Sequence, residues 1–466
     1  MSTTSIWQSG DLTPIEAVMW RAEADPALSS TVVALEILDR CPEWERLSAA
    51  HEWGSRMVPR FRERVVEGPL GLAGPTWAPD PDFDLGRHLH RTALAPGEDW
   101  PALLERVARI AQAPFDRTRP PWEAVLVDGL PDGRAAYVLK LHHATLDGAA
   151  GMQLLGGLHS RRRAPTPDKP RPHDPAGPRP GPLAVRLRRD ARDLARVARG
   201  LPRVVRRPLT AALDAAGYAR SLRRVLGAAR STPSPLLAAR DGHWCFHAID
   251  VPLDGLRAAA RSAGATLNDA FLAALLGGFA RYHDALGSPR SALPIAIPIS
   301  IRRPDDPAGG NRFAAARIDG PLGPADPVAR MRAIGEAVRG VRDERALDAV
   351  GALAPVLARL PAPLLSRLVA QVAGASDLQA SNVPGIRETV YLAGARVERL
   401  YGFGPLPGCA AMILLVSHGD SCCVSVNHDR AAITDPERFL DALAAGFDEL
   451  LALAPGAVPA TATVRR

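Results

Sequence analysis

The sequence lacks the motifs of several common enzyme classes. Only two lysines occur, Lys140 and Lys169, and neither follows a glycine, so the GxxxxGKS/T phosphate-binding loop is absent. There is no GxSxG nucleophile elbow. The best approximation to GxGxxG, at Gly402 and Gly404, has Pro407 in place of the third glycine. These absences exclude a P-loop nucleotidase, a serine esterase of the usual type and a Rossmann dinucleotide-binding protein.

Cysteines and long apolar runs are also scarce. The five cysteines include no CxxC pair and two of them are adjacent, which argues against a disulfide framework or a zinc site. They predict reduced thiols in a cytosolic protein. No apolar run approaches the roughly 18 residues that span a bilayer, and the first residues lack the basic start and apolar stretch of a signal peptide. We therefore expect a protein that is neither integral to a membrane nor secreted.

Length, composition and charge predict a soluble protein of more than one domain. The chain has 466 residues, of which 47% are hydrophobic and 23% charged, and such a length typically holds two or three domains. The formal charge of +7 is unevenly distributed, because residues 161–230 carry 19 Lys and Arg against 5 Asp and Glu, whereas the rest carries 38 against 45. A mildly acidic body thus contains one strongly basic segment.

The middle of the chain separates two halves. Residues 161–182 contain eight prolines and almost no apolar side chain, as in an extended linker. Leucines, valines and arginines then recur at helical spacing over 183–201 and again over 218–229, which predicts basic amphipathic helices. The predicted organisation is an N-terminal subdomain over 1–160, a linker with basic helices over 161–240, a C-terminal subdomain over 241–455 and a disordered tail over 456–466.

Both halves alternate between β-branched apolar runs and helical patterns. In the first half the patterns predict strands over 31–38, 123–127 and 135–141, and helices over 14–23, 43–58, 100–112 and 148–158. In the second half they predict strands over 244–251, 293–300, 312–318, around Gln379 and Val390, and over 410–417 and 422–427. They predict helices over 253–262, 266–282, 327–342, 347–372 with interruptions, and 436–453. This alternation predicts an α/β protein of two layered domains, each a sheet covered by helices.

One heptapeptide is the clearest candidate for chemistry: HHATLDG, residues 142–148, at the end of a predicted strand. The pattern HHxxxDG is expected by chance in roughly one chain of this length in a thousand. A histidine at a strand end exchanges a proton near neutral pH, Asp147 can hold the loop, and Gly148 permits tight passage of the backbone. The alternative is a structural pair of histidines that caps the strand.

This heptapeptide resembles the HHxxxDG signature of the CoA-dependent acyltransferase superfamily, which includes chloramphenicol acetyltransferase-like enzymes and the condensation domains of peptide synthetases. Other segments, in the expected order, narrow the resemblance to the bacterial wax ester synthase/diacylglycerol acyltransferase family. They are LTPIEAVMW near the N-terminus, Pro120-Pro121-Trp122, TLNDAFLAALLGGFARY, PIAIPISIRR, Gly310-Asn311 and Ser381-Asn382-Val383-Pro384-Gly385. The resemblance covers residues 11–453. It implies two chloramphenicol acetyltransferase-like domains, each a mixed sheet covered by helices, with the active site at their interface.

The resemblance also implies the reaction and its base. In this superfamily the second histidine of the motif is the general base, so His143 would take the proton of an alcohol whose oxygen attacks the thioester of acyl-CoA. His142, Asp147 and Gly148 would complete the catalytic motif. No nucleophilic serine or cysteine is then required, and no cofactor is expected beyond acyl-CoA as co-substrate.

Further catalytic roles follow from the same resemblance, each with an ordinary alternative. Asp147 would pair with an arginine, for which Arg302 is a candidate, although Arg302 is otherwise a surface residue. Asn268 would direct its amide at the oxyanion, or it would cap the helix that begins there. Asp269, in the first helical turn, is expected to compensate the helix dipole.

Substrate contacts are expected from the PPW and SNVPG segments. The candidate residues are Pro120, Trp122, Asn382, Pro384 and Gly385. A tryptophan beside prolines more often packs in the core, so this alternative stays open for Trp122. The segments depart from the family patterns PLW and SNVPGP at Pro121 and Ile386, which affects substrate preference rather than proton transfer.

The leading prediction is an O-acyltransferase that moves a long acyl chain from acyl-CoA to diacylglycerol or a fatty alcohol. Its further partner would be an anionic membrane or lipid-droplet surface on the cytoplasmic side, contacted by the basic segment, and nucleic acid is not expected. His88 and His90 lack a third ligand in register, so no metal is predicted. Two alternatives remain: acyl transfer to another hydroxyl or an amine, and a catalytically idle lipid-droplet protein.

Overall fold

The computed structural model describes residues 12–68, 74–146, 148–167, 169, 191, 231–300, 313–342, 349–454 and 461–465. Its helices are α1 (Pro14–Ala22), α2 (Trp44–Met57), α3 (Trp100–Gln112), α4 (Gly148–Leu158), α5 (Leu253–Ser262), α6 (Leu267–Ala285), α7 (Pro327–Arg342), α8 (Ala349–Leu357), α9 (Ala362–Ala373) and α10 (Pro436–Leu451). Its strands are β1 (Thr31–Leu38), β2 (Glu63–Val66), β3 (Thr76–Pro79), β4 (Leu89–Ala93), β5 (Trp122–Asp128), β6 (Ala135–His142), β7 (Trp244–Pro252), β8 (Ala292–Ser300), β9 (Phe313–Pro321), β10 (Leu378–Pro384), β11 (Tyr391–Leu392), β12 (Ala395–Phe403), β13 (Ala411–His418), β14 (Ser421–Asp429) and β15 (Thr463–Arg465).

The first sheet has six strands in the order β11-β12-β1-β6-β5-β4. Strand β6 is buried along its whole length and lies antiparallel between β1 and β5. Its register pairs Ala135 with Leu38 at one end and His142 with Thr31 at the other. The strand that carries the first motif histidine is therefore central to its sheet, and the motif begins where this strand ends.

The second sheet has seven strands in the order β15-β7-β14-β13-β10-β8-β9. Strand β10 runs parallel to β13 and β8, so the sheet is mixed. Helix α6 contacts α5, α7 and α10 on its sides, and every residue from Asp269 to Phe279 is buried. A helix that is apolar on most of its circumference is stable only when neighbours cover it on most sides, and this covered helix forms the centre of the larger core.

An apolar layer joins the two sheets. Phe403 of β12 stacks on Phe246 of β7 with ring centroids 4.1 Å apart, and helix α3 contacts both β1 and β7. The layer contains one polar node, in which the Tyr401 hydroxyl donates to Asp250 at 2.5 Å and Arg399 pairs with the same carboxylate. The two sheets are thus packed against each other through side chains of β7 and β12.

The structure corrects two predictions about the division of the chain. Strands β11 and β12 come from the C-terminal half but complete the first sheet, where β12 pairs with β1, so residues 241–455 do not form the second subdomain alone. The tail is not wholly disordered, because β15 pairs with β7 and Arg465 forms an ion pair with Asp250. A strand of three residues holds too little periodicity to be detected in a sequence.

The described start of the predicted linker is anchored to the first sheet. Arg163 pairs with Asp39 at 2.5 Å and donates to the Gly394 carbonyl at 3.0 Å. Ser160 exchanges two backbone hydrogen bonds with Tyr391. Apart from Ala191, the basic helices predicted over 183–201 and 218–229 lie outside the described residues.

Helix α1 joins the N-terminal half to the C-terminal half. It begins with a capping box, in which Thr13 Oγ1 accepts from the backbone N–H of Glu16 and the Glu16 carboxylate accepts from the backbone N–H of Thr13. Its apolar face shares a small core with α8 and α9, and Ser366 of α9 donates to the Ala22 carbonyl at 2.9 Å. The C-terminal end of α1 leads towards the HHxxxDG motif.

Among the described residues, no single helix is long and apolar enough to cross a bilayer. Helices α5 and α6 pass such a test only when taken together, and they are bent by 97° at the break between them. All five cysteines are free.

Candidate active site

The HHxxxDG motif lies at the boundary between the two sheets. The backbone N–H of His143 donates to the Ser30 carbonyl at 2.8 Å, which ties the end of β6 to the residue before β1. Helix α4 then begins at Gly148, where an added Cβ would lie 3.2 Å from the side chain of Val383 in β10. Since β10 belongs to the second sheet, the motif is placed at the interface between the sheets.

His142 is fully buried and is engaged at both ring nitrogens. Its Nδ1 accepts a hydrogen bond from the backbone N–H of Ala144 at 3.0 Å, and its Nε2 lies 2.8 Å from Oε2 of Glu23. A ring nitrogen that accepts carries no proton, so His142 is the neutral tautomer whose Nε2–H donates to Glu23. Trp20 packs edge-on against the ring, with centroids 5.0 Å apart. These contacts hold His142 as a structural part of the motif.

Glu23 places a negative charge beside the motif. Burial acts to raise the pKa of its carboxyl, but the hydrogen bond from His142, the charge of His142 in its protonated form, and hydrogen bonds from the Ser30 backbone and the Ser29 hydroxyl outweigh burial and hold the pKa below its usual 4.5. Glu23 is therefore an ionised acceptor at neutral pH.

His143 differs from His142 in its exposure. The residue is half-buried, and its Nδ1 is buried. A general base must reach the proton that it removes, so of the two adjacent histidines His143 has the environment that suits proton transfer to or from a substrate.

A buried arginine supports the loop of the motif. Arg60 Nη1 donates to the carbonyls of Thr145 at 2.8 Å and of Ala144 at 3.3 Å. Its charge is balanced by the fully buried carboxylate of Glu16 in α1, 3.4 Å away. A buried charge is tolerated when it is paired and hydrogen-bonded. The chain of contacts from Glu16 through Arg60 to Thr145 therefore holds the backbone that precedes Asp147.

Asp147 and its candidate partner Arg302 lie outside the described residues. Their pairing stays a prediction. Gly148 is the first residue of α4 and is exposed.

The first turn of α6 shows that Asn268 does not cap this helix, as the sequence had suggested as an alternative. The helix is capped by Thr266 and not by Asn268, because Thr266 Oγ1 accepts from the Asp269 N–H, and Asp269 Oδ2 accepts from the N–H and hydroxyl of Thr266 at 2.9 and 2.7 Å. Asp269 is thus a capping-box residue. Asn268 is half-buried, and no hydrogen bond to its side chain is found among the described residues.

The SNVPG segment is the end of β10 and the turn that follows it. Gly385 is explained by packing, since a Cβ at this position would collide with the carbonyl oxygen of Ser417 in the neighbouring strand β13. Its N–H donates to the Ser417 hydroxyl at 3.4 Å. Asn382 is half-buried and Pro384 is exposed, so these two keep their place as candidates for substrate contact.

Pro120 and Trp122 are core residues. Trp122 is 1% exposed, its indole N–H donates to the Phe61 carbonyl at 2.8 Å, and its ring stacks on that of Phe61 with centroids 5.0 Å apart. Pro120 is buried as well. The packing alternative is therefore favoured for Trp122. The segment supports the motif indirectly, because the Pro121 carbonyl accepts from the His142 backbone N–H at 3.1 Å.

No group of three His, Cys, Asp or Glu side chains in the described part of the chain lies close enough to hold a metal ion. His88 is buried with its Nδ1 2.8 Å from the Trp122 carbonyl, whereas His90 is exposed on β4. The two histidines have different environments and do not form a common site.

Three residues that support the motif were not predicted from the sequence: Glu16, Glu23 and Arg60. The pattern Thr13-x-x-Glu16 is the sequence signature of a capping box, so one signal was available. Glu23 lies 119 residues before His142 and Arg60 lies 84 residues before Ala144. No local pattern reveals partners at such separations.

The fold defines the class of protein. The wax ester synthase/diacylglycerol acyltransferase from Marinobacter aquaeolei VT8 matches this structure with a TM-score of 0.65 and 21% identity, over 96% of this chain and 100% of that one. The first condensation domain of the calcium-dependent antibiotic synthetase, in complex with a substrate analogue, matches with a TM-score of 0.62 and 17% identity, over 98% and 99%. The chain therefore has the two-domain chloramphenicol acetyltransferase-like fold.

Sequence comparison defines the family. The wax ester synthase/diacylglycerol acyltransferase catalytic domain matches residues 12–271, and the C-terminal domain of the same family matches residues 309–451. A Mycobacterium tuberculosis H37Rv protein named "Putative diacyglycerol O-acyltransferase" is 42% identical over 467 residues, or 97% of this chain and 94% of that protein. A second protein of that name and strain is 30% identical over 475 residues, or 95% and 97%. The chain belongs to the wax ester synthase/diacylglycerol acyltransferase family and is an O-acyltransferase.

Proposed function

We propose that the protein transfers a long acyl chain from acyl-CoA to the hydroxyl of diacylglycerol or a fatty alcohol, with His143 as general base. The observation that carries the proposal is the unequal environment of the two motif histidines. His142 is fully buried and hydrogen-bonded at both ring nitrogens, whereas His143 is half-buried at the boundary between the sheets. Membership of the family supports acyl transfer, and the names of the relatives support the choice of acceptors.

In the proposed step a ring nitrogen of His143 takes the proton of the acceptor hydroxyl while the hydroxyl oxygen bonds to the thioester carbonyl carbon. The tetrahedral intermediate then collapses, the C–S bond breaks, and the imidazolium returns its proton to the CoA thiolate. The ester and free CoA thiol are the products. This chemistry uses no metal and no cofactor other than the co-substrate acyl-CoA.

The cysteines are poor candidates for a competing covalent mechanism. Burial raises the pKa of Cys409, Cys422 and Cys423 to about 12, which keeps these thiols protonated at neutral pH. Burial also raises the pKa of Cys41 and Cys245. A thiol reacts as a nucleophile in its thiolate form, so these environments support direct transfer without an acyl-enzyme.

Two further groups complete the proposed site. The amide of Asn268 would donate to the oxyanion of the tetrahedral intermediate, a contribution that is typically worth about 10²- to 10³-fold in turnover. Asp147, paired with Arg302, would hold the motif loop and would not touch the substrate. Asn382 and Pro384 would line the path of the substrate.

The reaction would take place at the cytoplasmic face of a membrane or on a lipid droplet, because both acceptors are insoluble in water. The basic residues over 183–230, which the sequence assigns to docking, lie outside the described part of the chain, so their role stays a prediction.

An assay of the purified full-length protein with palmitoyl-CoA tests the proposal. The acceptor panel comprises diacylglycerol, hexadecanol, a short soluble alcohol and a primary amine, and both released thiol and acylated product are measured. Ester formation with diacylglycerol or hexadecanol supports the proposal. Amide formation alone would favour a condensation-type reaction, and a folded protein that releases no thiol with any acceptor would be the idle alternative.

The order of the reaction offers a second test. Direct transfer requires both substrates to be bound together, so initial-rate plots against the two substrates should intersect. Parallel plots, or an acylated protein after incubation with labelled acyl-CoA alone, would refute transfer without an acyl-enzyme.

A further inference from the structure

Five large apolar side chains are exposed in the described part of the chain, and all five lie on one helix pair. We call this pair, residues 349–373, the α8–α9 hairpin. The exposed fractions are 42% for Leu353, 41% for Val356, 47% for Leu364, 39% for Leu368 and 49% for Val372. Single exposed apolar residues are ordinary, whereas a cluster on one element marks a contact surface.

The exposed side chains of α9 form a continuous stripe. Leu364, Leu368 and Val372 follow one another at intervals of four residues and therefore lie on one face of the helix. The side of α9 that faces the protein includes Leu365, which is fully buried at the edge of this stripe, and Ser366, which donates to the Ala22 carbonyl of α1. Helix α9 is thus apolar on two faces, of which the described protein covers one.

The hairpin carries basic charge and no acidic charge. Between residues 349 and 376 the ionisable side chains are Arg359 and Arg367, and there is no Asp or Glu. Arg367 is exposed and lies next to Leu368 in the stripe. An apolar face with arginine and without carboxylates complements a lipid surface that contains anionic headgroups.

The hairpin is joined to the active-site motif through α1. Arg21 of α1 donates to the Ala358 carbonyl at 2.5 Å, and the two elements share an apolar core. Two residues after Arg21, Glu23 accepts the hydrogen bond from His142. Helix α1 and the residue that follows it therefore contact both the hairpin and the motif.

We propose that the exposed face of the α8–α9 hairpin docks on the surface of a phospholipid bilayer that contains anionic lipids. Its five exposed apolar side chains enter the boundary between headgroups and acyl chains, and Arg367 contacts lipid phosphates. This proposal rests on the proposed function, because diacylglycerol and long-chain alcohols dissolve in such a bilayer and must reach His143 from it.

Flotation of the purified full-length protein with vesicles tests this docking. The vesicles contain phosphatidylcholine alone or phosphatidylcholine with phosphatidylglycerol, and the wild type should bind more tightly to the second kind. A variant with Leu364→Gln, Leu368→Gln and Val372→Gln is expected to lose at least about tenfold in partitioning to both kinds. Arg367→Gln should lose about fivefold on the anionic vesicles only.

Arg261→Gln is the matched control, because Arg261 is an exposed arginine near the end of another helix, α5. It should leave vesicle binding unchanged. Thermal melting verifies that each variant is folded. If the triple variant is unfolded, the pair Leu364→Gln and Val372→Gln, at the two most exposed positions, replaces it, with an expected loss of at least about fivefold.

Two outcomes would overturn the proposal. A folded triple variant that binds vesicles like the wild type would place docking elsewhere, with the basic residues over 183–230 as the next candidates. A self-association of the wild type that the triple variant abolishes, with vesicle binding unaffected, would assign the face to a second copy of the chain.

Activity with a soluble acceptor separates this proposal from the proposed function. With palmitoyl-CoA and a short alcohol, the triple variant should retain wild-type turnover, while turnover on diacylglycerol in vesicles falls by about tenfold in line with the partitioning. Loss of turnover on both acceptors in a folded variant would contradict a docking role. An enzyme that is inactive with every acceptor would refute the proposed function, and the vesicle-binding result would still decide the docking proposal.

Discussion

Two histidine–glutamate pairs, each with a buried histidine, flank helix α4 and differ in the group that the second ring nitrogen contacts. The pair before the helix joins Nε2 of His142 to Glu23 at 2.8 Å, and the pair after it joins Nε2 of His159 to Glu36 at 2.9 Å. The residue types and distances are nearly the same. The other nitrogen of each ring has a different partner.

The two pairs differ in the backbone group that Nδ1 of each histidine contacts. Nδ1 of His142 accepts from the N–H of Ala144, so that ring is neutral. Nδ1 of His159 lies 2.5 Å from the Leu155 carbonyl, to which it can only donate. Below its raised pKa, His159 carries protons on both nitrogens and donates from Nε2 to Glu36 as an imidazolium. Burial acts to lower the pKa of His159, but the charge and hydrogen bond of Glu36 outweigh burial and raise that pKa above 6.5.

The comparison distinguishes the two paired histidines from His143, the proposed general base. In both pairs, the histidine Nε2 is hydrogen-bonded to a glutamate and Nδ1 is hydrogen-bonded to the backbone. Rings held at both nitrogens are suited to a structural role rather than to proton exchange with a substrate. His143 lies outside these two pairs and is half-buried. Substitution of each histidine or of its glutamate partner tests this distinction between the paired histidines and His143.

The largest effect is expected from His143→Ala. Removing the general base should lower kcat/KM with palmitoyl-CoA and hexadecanol by about 10²- to 10⁴-fold. The fold should be retained, since a half-buried ring leaves little cavity, and circular dichroism with thermal melting checks this. His142→Ala should cost less activity and more stability. The assignment of the base would be reversed if His142→Ala abolished activity while His143→Ala left most of it.

Glu36→Gln should produce the largest loss of stability. It leaves the imidazolium of His159 buried without a counter-charge, and breaking a buried ion pair in this way typically costs about 3–5 kcal/mol. Chemical denaturation at pH 6 measures the effect. The double variant Glu36→Gln with His159→Gln is the control, because it removes both charges and should recover part of the loss. A single variant as stable as the wild type would show that the pair is not ionic.

The stability contributed by the second pair should depend on pH in one direction. Because the pKa of His159 is raised in the folded state, its contribution is fully present below pH 6.5 and is lost as the pH rises through the raised value. It amounts to about 1.4 kcal/mol for each unit by which the pKa is raised. The destabilisation by His159→Gln should therefore shrink between pH 6 and pH 9 in thermal melts, and an increase over that range would contradict an ionic pair.

Glu23→Gln should have the smallest effect. The neutral ring of His142 needs an acceptor for its Nε2–H and not a charge, so a glutamine carbonyl can take the place of the carboxylate at a cost of about 1 kcal/mol or less. Activity should fall by less than about tenfold, which corresponds to 1.4 kcal/mol. Glu23→Ala removes the acceptor and should cost about 1–3 kcal/mol. If Glu23→Gln were as damaging as Glu36→Gln, the two pairs would not differ in charge.

The regular elements were largely predictable. The periodicity of residues 31–38 predicted strand β1 and that of 100–112 predicted helix α3, and both are observed with these bounds. The predictions failed for β2, β3 and β12, which the patterns did not reveal. Two of these strands have only four residues, and so few residues hold little periodicity. Strand β12 joins a sheet from the other half of the chain, which local sequence does not show.

The candidate site was predictable in part. Its central motif is seven consecutive residues, so local sequence was sufficient to find His142 and His143. Glu23 and Arg60 were not found, because each reaches the motif from a distant part of the chain. Trp122 was placed among the substrate contacts by resemblance, and its burial beside Phe61 shows a packing role.

The sequence by itself determined the family, the motif and the order of most helices and strands, because these depend on residue identity and local periodicity. Only the tertiary structure decided what surrounds each side chain. Leu364 and Leu365 are identical and adjacent, yet one is 47% exposed and the other is fully buried. His142 and His159 are likewise identical, yet Nδ1 of the first accepts from a backbone N–H and Nδ1 of the second faces a backbone carbonyl. Burial and protonation depend on which distant groups pack against a side chain and donate to it, and those groups are brought together only by the fold.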